Sequence, residues 1–472
     1  MIRNLLIGAS LLALSACAAV PAHVPEAHPQ IANPAAQGAF LNGGDPAFAA
    51  RAVPGDWWKL YDDATLNGLV QDALGANVSL REAEAHIEKA RAGLDLAQEA
   101  RGVHTDLKGQ FGYGMPSAQE YLLLGEHIPS DFLYSVDGSI SYQLDLSGQV
   151  KNAIAASGAD LSAAQAAYDA VRISVVADTT RAWLDVCATG RQIALTQDAI
   201  ALQDQTGDAV RRLKAAGRGA ESDVTRSLAQ EAQARAALPA LEAAQSAALY
   251  RLALLTGRAP AELPAGLGAC RALPVLTQPI PTGDGAALLE RRPDVRAGQF
   301  ALEAADARAG VARAALYPHI VLGAGLGSGG LARDAFRYDT MKYSLGPLIS
   351  WEFPNRKAAK ANIAGAHADI DAAEARFDGA VLNALRETET ALSVYAHDLD
   401  QRAELRTARD HAAQNLQQTL TLQKAGRASL FPVLDARRAV LSADQALAAL
   451  DAKIAGDQVQ VFLALGGGWE TQ

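Results

Sequence analysis

Two stretches of this 472-residue chain, Gln149 to Leu255 and Arg356 to Leu465, contain almost nothing that stops a helix. That constrains the fold more than any other feature. No proline stands between Gln149 and Leu238, and each run has a single tight break, at Gly217–Gly219 and at Gly426. Before its break each run is about 68 residues of mainly Ala, Leu, Gln, Asp and Arg, which as one helix would extend roughly 100 Å at about 1.5 Å per residue. That is several times a usual globular helix, so the chain is expected to build two long helical hairpins rather than an ordinary compact core.

The two runs are copies. Tyr134-Ser135 matches Tyr343-Ser344, a shift of 343 − 134 = 209. The same shift carries Ile140-Ser141 to Ile349-Ser350, the Leu213, Ala216, Gly217, Arg218 set to Leu422, Ala425, Gly426, Arg427, and Gly257 to Gly466. A constant offset over so long a stretch indicates internal duplication. Upstream, Arg91-Ala92-Gly93 matches Arg308-Ala309-Gly310 at a shift of 217 (308 − 91), so about eight extra residues lie between these markers in the first copy. Length alone would allow two or three domains, but the repeat argues for one fold of two halves. The first half is residues 52–285: helices, two strands within about 103–146, a hairpin over 149–256, and a proline-rich segment over 257–285. The second is 286–472: a helix, two strands within about 319–353, a hairpin over 356–465 and a short tail.

The N-terminus reads as a short secretory signal over residues 1–16. Arg3 precedes an apolar run, Leu5 to Leu14, that is too brief to span a bilayer. Leu14-Ser15-Ala16-Cys17 resembles a lipobox, which would make Cys17 the lipidated first residue of a bacterial lipoprotein; plain cleavage after a small residue is the alternative. Ala18, rather than Asp, favours the outer membrane over retention on the inner one. Residues 17–51, with Pro21, Pro25, Pro29, Pro34 and Pro46, read as an extended tether.

Two amphipathic helices follow, over Leu66–Leu74 and from about Ser79 to Arg101, preceded by Trp57-Trp58. The tryptophan pair is read as ordinary packing rather than a membrane anchor. The period then changes to two. Val103, Leu107, Phe111 and Tyr113 alternate with His104, Asp106, Lys108 and Gln110, and Val136, Ile140, Tyr142, Leu144 and Leu146 alternate with polar neighbours. The second copy supplies a glycine-rich segment from Ile320 to Leu326 and another from Tyr343 to Phe353. One apolar and one strongly polar face suit strands between lipid and water, with Tyr113, Tyr142, Trp351 and Phe353 as an interfacial girdle. Four strands cannot close a barrel and open edges are not tolerated in lipid, so several chains must share one.

Nothing points to catalysis. Gly466-Gly467-Gly468 is followed by Trp rather than Lys-Ser/Thr, no His pair has HExxH spacing, and no serine motif marks a strand-to-helix elbow. A net charge of −10 argues against nucleic acid as a partner. No metal or cofactor is expected beyond the covalent lipid on Cys17.

Several motifs together identify a resemblance. Leu288-Leu289-Glu290-Arg291-Arg292-Pro293-Asp294-Val295, Ala314-Ala315-Leu316-Tyr317-Pro318, the end Leu463 to Trp469, Trp57-Trp58 and Asp145-Leu146-Ser147-Gly148 are similar to TolC-like outer-membrane factors, in the lipoprotein branch serving resistance-nodulation-division (RND) efflux pumps. The fold implied is mainly α with a membrane β-barrel portion. Three chains would form a twelve-stranded barrel continuing into a tube of long coiled helices, with a belt from 257–285. The chain departs from the family after the fourth strand, where Phe353-Pro354-Asn355-Arg356 stands in place of Phe-Asp-Gly-Gly. By resemblance the protein is a homotrimer in the outer membrane of a Gram-negative bacterium, passing small molecules out with a periplasmic adaptor and an inner-membrane RND transporter as partners. A type I protein secretion duct and a non-conducting envelope scaffold are the alternatives. Phe431, Asp435 and Arg438 lie at i, i+4, i+7 on one face at the second tip. They would form stacked rings closing the mouth, Asp435 falling on the family's acidic position; the bland reading is a surface stripe with a local ion pair. The turns with Gly217, Arg218, Gly426 and Arg427 would dock the adaptor. Cys187, near mid-helix, and Cys270, in the belt, are either a disulfide in the oxidising periplasm or two buried thiols.

Overall fold

The computed structural model describes residues 31, 33–115, 130–351 and 356–467. The signal segment, Cys17, Phe353 and the Gly468-Trp469 end lie outside the described residues. In chain order the main elements are helices α1 (Ala64–Ala76) and α2 (Val78–Glu99), strands β1 (Val103–Gly114) and β2 (Asp131–Leu144), and helices α3 (Gln149–Ala215), α4 (Glu221–Ala236) and α5 (Leu238–Leu255). Then come α6 (Gly285–Arg291), α7 (Pro293–Ala314), β3 (His319–Leu331), β4 (Met341–Ser350), α8 (Arg356–Lys424) and α9 (Leu430–Ala464). The long arms α3 and α8 run 67 and 69 residues. No described helix is long and apolar enough to cross a membrane, which says nothing of the strands.

The duplication is written into the helix ends. Gly217 and Gly426 have φ of 71° and 70°, and Gly257 and Gly466 have 65° and 66°. At all four the same pair of bonds closes the helix: the glycine N–H donates three residues back and the next N–H five back. Gly217 and Arg218 thus donate to Lys214 and Leu213, and Gly426 and Arg427 to Gln423 and Leu422. This C-terminal motif needs left-handed backbone, which glycine adopts without a Cβ clash. The copies differ in the return arm. The first return arm is expected to be unbroken, but it breaks at Ala237, between α4 and α5. The break has a plain cause: Pro239 has no N–H to continue the ladder, whereas Ala448 stands at the matching place in the continuous, 35-residue α9.

The chain divides into two compact units. The first contains residues 87–164 and 297–377. Its centre is an antiparallel sheet in the order β1-β2-β3-β4, so β1 and β4 are the outer strands. The register places Val103, Leu107, Phe111 and Tyr113 opposite Tyr142, Gly138, Tyr134 and Phe132, and Ile140 and Val136 opposite Ala324 and Ser328. Leu322, Ala324 and Leu326 then meet Pro347, Leu345 and Tyr343, so the apolar positions of all four strands share one face. The strand limits differ from expectation at the last segment, which ends at Ser350; the Trp351 indole lies beyond it and donates to the Leu316 carbonyl at 3.3 Å. At the other end Phe132 packs on Phe111 and Tyr113, with ring centres 5.6 and 5.4 Å apart. At the junction to α3, Asp145 accepts from the N–H groups of Val150 and Lys151 at 3.1 and 2.8 Å, an acidic cap at the positive end of a helix.

The second unit contains residues 27–86, 165–296 and 378–472 and holds the main apolar core. Trp57 is fully buried and stacks on Phe462 at 4.5 Å, so the tryptophan pair is packing. Asp63 caps α1 and also accepts from the Trp183 indole at 2.8 Å. Arg292, from the Leu288–Val295 motif, is buried and donates to Asp294, to Glu387 at 2.9 Å and to the Ala464 carbonyl at 3.0 Å. One guanidinium thereby ties the α6–α7 junction and α8 to the end of α9. Removing a buried large aromatic typically costs about 3–5 kcal/mol, so Trp57→Ala is expected to lower the melting temperature of the purified protein by several degrees. A melting curve that superimposes on wild type would show that the Trp57–Phe462 stack does not support the core.

Candidate gate, helical tips and the core beside them

At the two turns, α3 passes to α4 and α8 to α9 through the glycine motifs described above. Lys214 and Glu221 form an ion pair across the first turn, and the Asp223 carboxylate accepts from the Ala220 N–H at 3.3 Å. Arg218 and Arg427 stand exposed immediately after Gly217 and Gly426.

The start of α9 has two faces. Val433, Leu434 and Ala436 are buried, and Leu434 packs with Leu202 and Ala209 of α3. The opposite side carries Phe431, 39% exposed, and Asp435, whose side chain is 82% exposed. Arg438 approaches Asp435 at 3.8 Å and also donates to Gln203 of α3 at 3.3 Å. Within one chain, then, Asp435 and Arg438 form a loose i,i+3 pair and Phe431 projects one turn earlier. An exposed pair of that kind contributes about 0–0.5 kcal/mol. It exchanges for another partner at almost no cost.

Cys187 and Cys270 form a disulfide that closes a sequence separation of 83 residues. It fastens the segment after α5 to the middle of α3, and the backbones there touch: a methyl group on Gly190 would overlap the Cys270 carbonyl. Gln245 of α5 donates to the Val186 and Gly268 carbonyls at 3.3 and 3.1 Å, completing the junction. In the chain-entropy account a loop of this length gives about 4 kcal/mol, less in practice.

A cluster of charged groups in the same unit has no signature in the sequence. Lys453 of α9 holds both oxygens of Asp398 of α8, at 2.7 and 2.6 Å. Asp457, one turn beyond Lys453, shares a hydrogen bond with Asp398. Burial, that bond and the Asp398 charge push Asp457 up to about 7, against the pull of Lys453 and Arg181. Burial also works to raise Asp398, but its bonds to Asp457 and Lys453 hold it below the usual carboxylate range. Asp457 thus keeps its proton to a higher pH than an ordinary carboxyl. Nearby, Gln458 links the Tyr61 and Tyr395 hydroxyls at 3.1 and 3.2 Å, and Asp451 pairs with Arg402 at 2.6 Å and Arg191 at 3.5 Å. Among the described residues no group of acids, histidines or cysteines is arranged to hold a metal ion.

These features sit in a chain with clear relatives. The model of the outer membrane efflux protein family matches residues 69–258 and 286–467, leaving out the segment that carries Cys270. The solvent efflux pump outer membrane protein SrpC of Pseudomonas putida is 29% identical over 470 residues, 98% of this chain and 97% of that protein. Nodulation protein T of Rhizobium leguminosarum bv. viciae is 27% identical over 465 residues, 97% of this chain and 92% of that protein. The outer-membrane channel OprN has the same fold at a TM-score of 0.85, with 29% identity, covering 96% of this chain and 99% of that one.

The core charges and the disulfide give two measurable consequences. A raised carboxyl pKa makes its stabilising contribution full below the ordinary value near 4, and loses it as pH rises through about 7. Melting temperature is therefore expected to fall between pH 5 and pH 8, by less in Asp457→Asn, where nothing titrates; equal slopes in the two proteins would refute the assignment. Replacing both Cys187 and Cys270 by Ser is expected to lower the melting temperature without abolishing conduction. Titration of two free thiols in the denatured, unreduced protein would exclude the bond.

Proposed function

The chain belongs to the outer membrane efflux protein family, and we propose that three copies of it form the exit duct of a tripartite RND-type efflux pump, passively releasing small molecules such as drugs and solvents. The observation that carries this reading is the four-stranded sheet with β1 and β4 at its open edges. Its apolar face belongs in lipid and its polar face in water, and open edges in lipid leave peptide groups without partners. Other copies must supply the missing neighbours; three copies, the number implied by the resemblance, give twelve strands. Family members are channels rather than enzymes, so energy comes from an inner-membrane transporter reached through a periplasmic adaptor that docks at the Gly217–Arg218 and Gly426–Arg427 turns. Cys17 carries the lipid that anchors the N-terminus in the outer membrane. The role of SrpC in solvent efflux favours small-molecule export over protein secretion.

The resting mouth is closed by Phe431, Asp435 and Arg438. Because the local Asp435–Arg438 contact is weak and exposed, each carboxylate is available to an arginine of the next copy. Phe431, on the same side, then fills the axis as an apolar ring.

The test is single-channel conductance of the purified oligomer in planar bilayers, comparing wild type with Asp435→Ala/Arg438→Ala. Small or flickering wild-type currents that become larger and longer-lived in the double variant are expected. Large currents identical in both proteins would leave the duct and remove the gate. Silence from correctly assembled oligomers of both would turn the reading toward an envelope scaffold.

A further inference from the structure

We propose that one row across the polar face of the sheet, Lys108, Asp137, Gly327 and Lys342, together with Asp106 beside Lys108, sets the charge selectivity of the barrel lumen and holds it near neutral, so that this part of the duct passes anions and cations alike. This rests on the duct reading, with the polar face turned inward.

The row follows from the register. Lys108 lies opposite Asp137, Asp137 opposite Gly327, and Gly327 opposite Lys342, so the four residues stand side by side across β1 to β4. Asp137 and Lys342 are therefore not on neighbouring strands. With strands about 4.8 Å apart, their backbones are separated by roughly 10 Å and β3 runs between them. Any side chain at 327 would stand in the gap. A methyl group there would overlap the Asp137 Oδ1 and come within 3.0 Å of the Lys342 Cε. Glycine leaves the space open, and Lys342 crosses β3 to reach Asp137 at 2.7 Å. Lys108, the cross-strand neighbour of Asp137, turns instead to Asp106 at 3.4 Å.

Each acid in this part of the face thus has its own lysine. Beside these two acids and two lysines, the adjoining polar-face positions Gln110, Ser135, Ser139, Ser141 and Ser344 carry no charge. Exposed pairs of this kind contribute only about 0–1 kcal/mol, so the consequence of the arrangement is charge balance rather than stability. Repeated in three copies, the row becomes a ring. Unpaired, its charges would act across a lumen at distances near the Debye length, about 10 Å at 0.1 M salt, and charged rings of this type select ions in pores. Loss of Lys342 leaves three bare carboxylates, and loss of Asp137 leaves three bare ammonium groups.

The test is the potassium-to-chloride permeability ratio, from reversal potentials across a low-salt KCl gradient, for purified oligomers in planar bilayers. Lys342→Met is expected to raise the ratio several-fold and Asp137→Asn to lower it below wild type, while Lys342→Arg keeps the wild-type value. Lys108→Met, at the other end of the row, is expected to shift the ratio in the same direction as Lys342→Met and serves if that variant fails to assemble. Ratios unchanged from wild type in conducting variants would overturn the row's role while leaving the duct intact. Absence of conduction in assembled wild-type oligomers would overturn the duct reading, and the ring with it.

Discussion

The hydrogen-bonding demand of the backbone governs the rest of this molecule. A strand in hydrocarbon has no water to satisfy its edge, and each unpaired peptide group there costs several kcal/mol. Among the described residues this chain builds a sheet of four strands in which β1 and β4 have no neighbour on their outer sides. The apolar face formed by Leu107, Val136, Leu326 and Leu345 gives the sheet no watery alternative. Under the proposed placement in lipid, association between copies is a condition for the fold, not an addition to it. The long helices inherit that arrangement, since α3 follows β2 after a short junction and is capped at once by Asp145.

Away from the sheet, the difficulty is different. Long alanine-rich helices bury little side-chain volume each, and an irregular segment has no ladder of its own. The second unit meets this with point attachments: the Trp57–Phe462 stack, Arg292 at the end of α9, Asn77 donating to the Leu255 carbonyl at 2.9 Å, and the Cys187–Cys270 bond. Each fastens a helix end or a loop to another helix. The paired bonds at Gly257 and Gly466 do the same work in both copies, ending the return arms where irregular backbone begins.

Much of this is legible in the sequence because the deciding residues have only one physical reading. Glycines at a constant 209-residue offset, followed by arginine, mark helix ends that need positive φ. Alternation of apolar and polar residues gives strand faces whatever the partner, and the register then aligns all four. Pro239 is equally visible, yet the repeat masks its effect by suggesting a continuous arm as in α9. The Asp398–Lys453–Asp457 cluster is not legible. Acids and lysines on a long amphipathic helix normally face water, and only the packing of α8 on α9 shows that these meet. Arg292 stands out as part of a motif, but nothing local says that its partners are Glu387 and the Ala464 carbonyl, both far away in sequence.

The contrast between those core charges and the ones at the tip bears on how the proposed duct opens. In the core, carboxylates are held by one or more cations, or by a shared hydrogen bond, with little access to water, and breaking such a contact leaves a buried charge uncompensated. At the tip, Asp435 is almost fully solvated and its arginine stands at 3.8 Å, so separating them leaves neither group short of partners. A helix pair anchored by costly contacts at one level and by exchangeable ones at its end favours bending at that end. Under the proposed assembly, opening therefore needs no repacking of Val433 and Leu434 against their own chain beyond what the Gly426 turn allows. Under that assembly the chemistry confines the movement to Phe431, Asp435 and Arg438, the residues proposed to close the mouth.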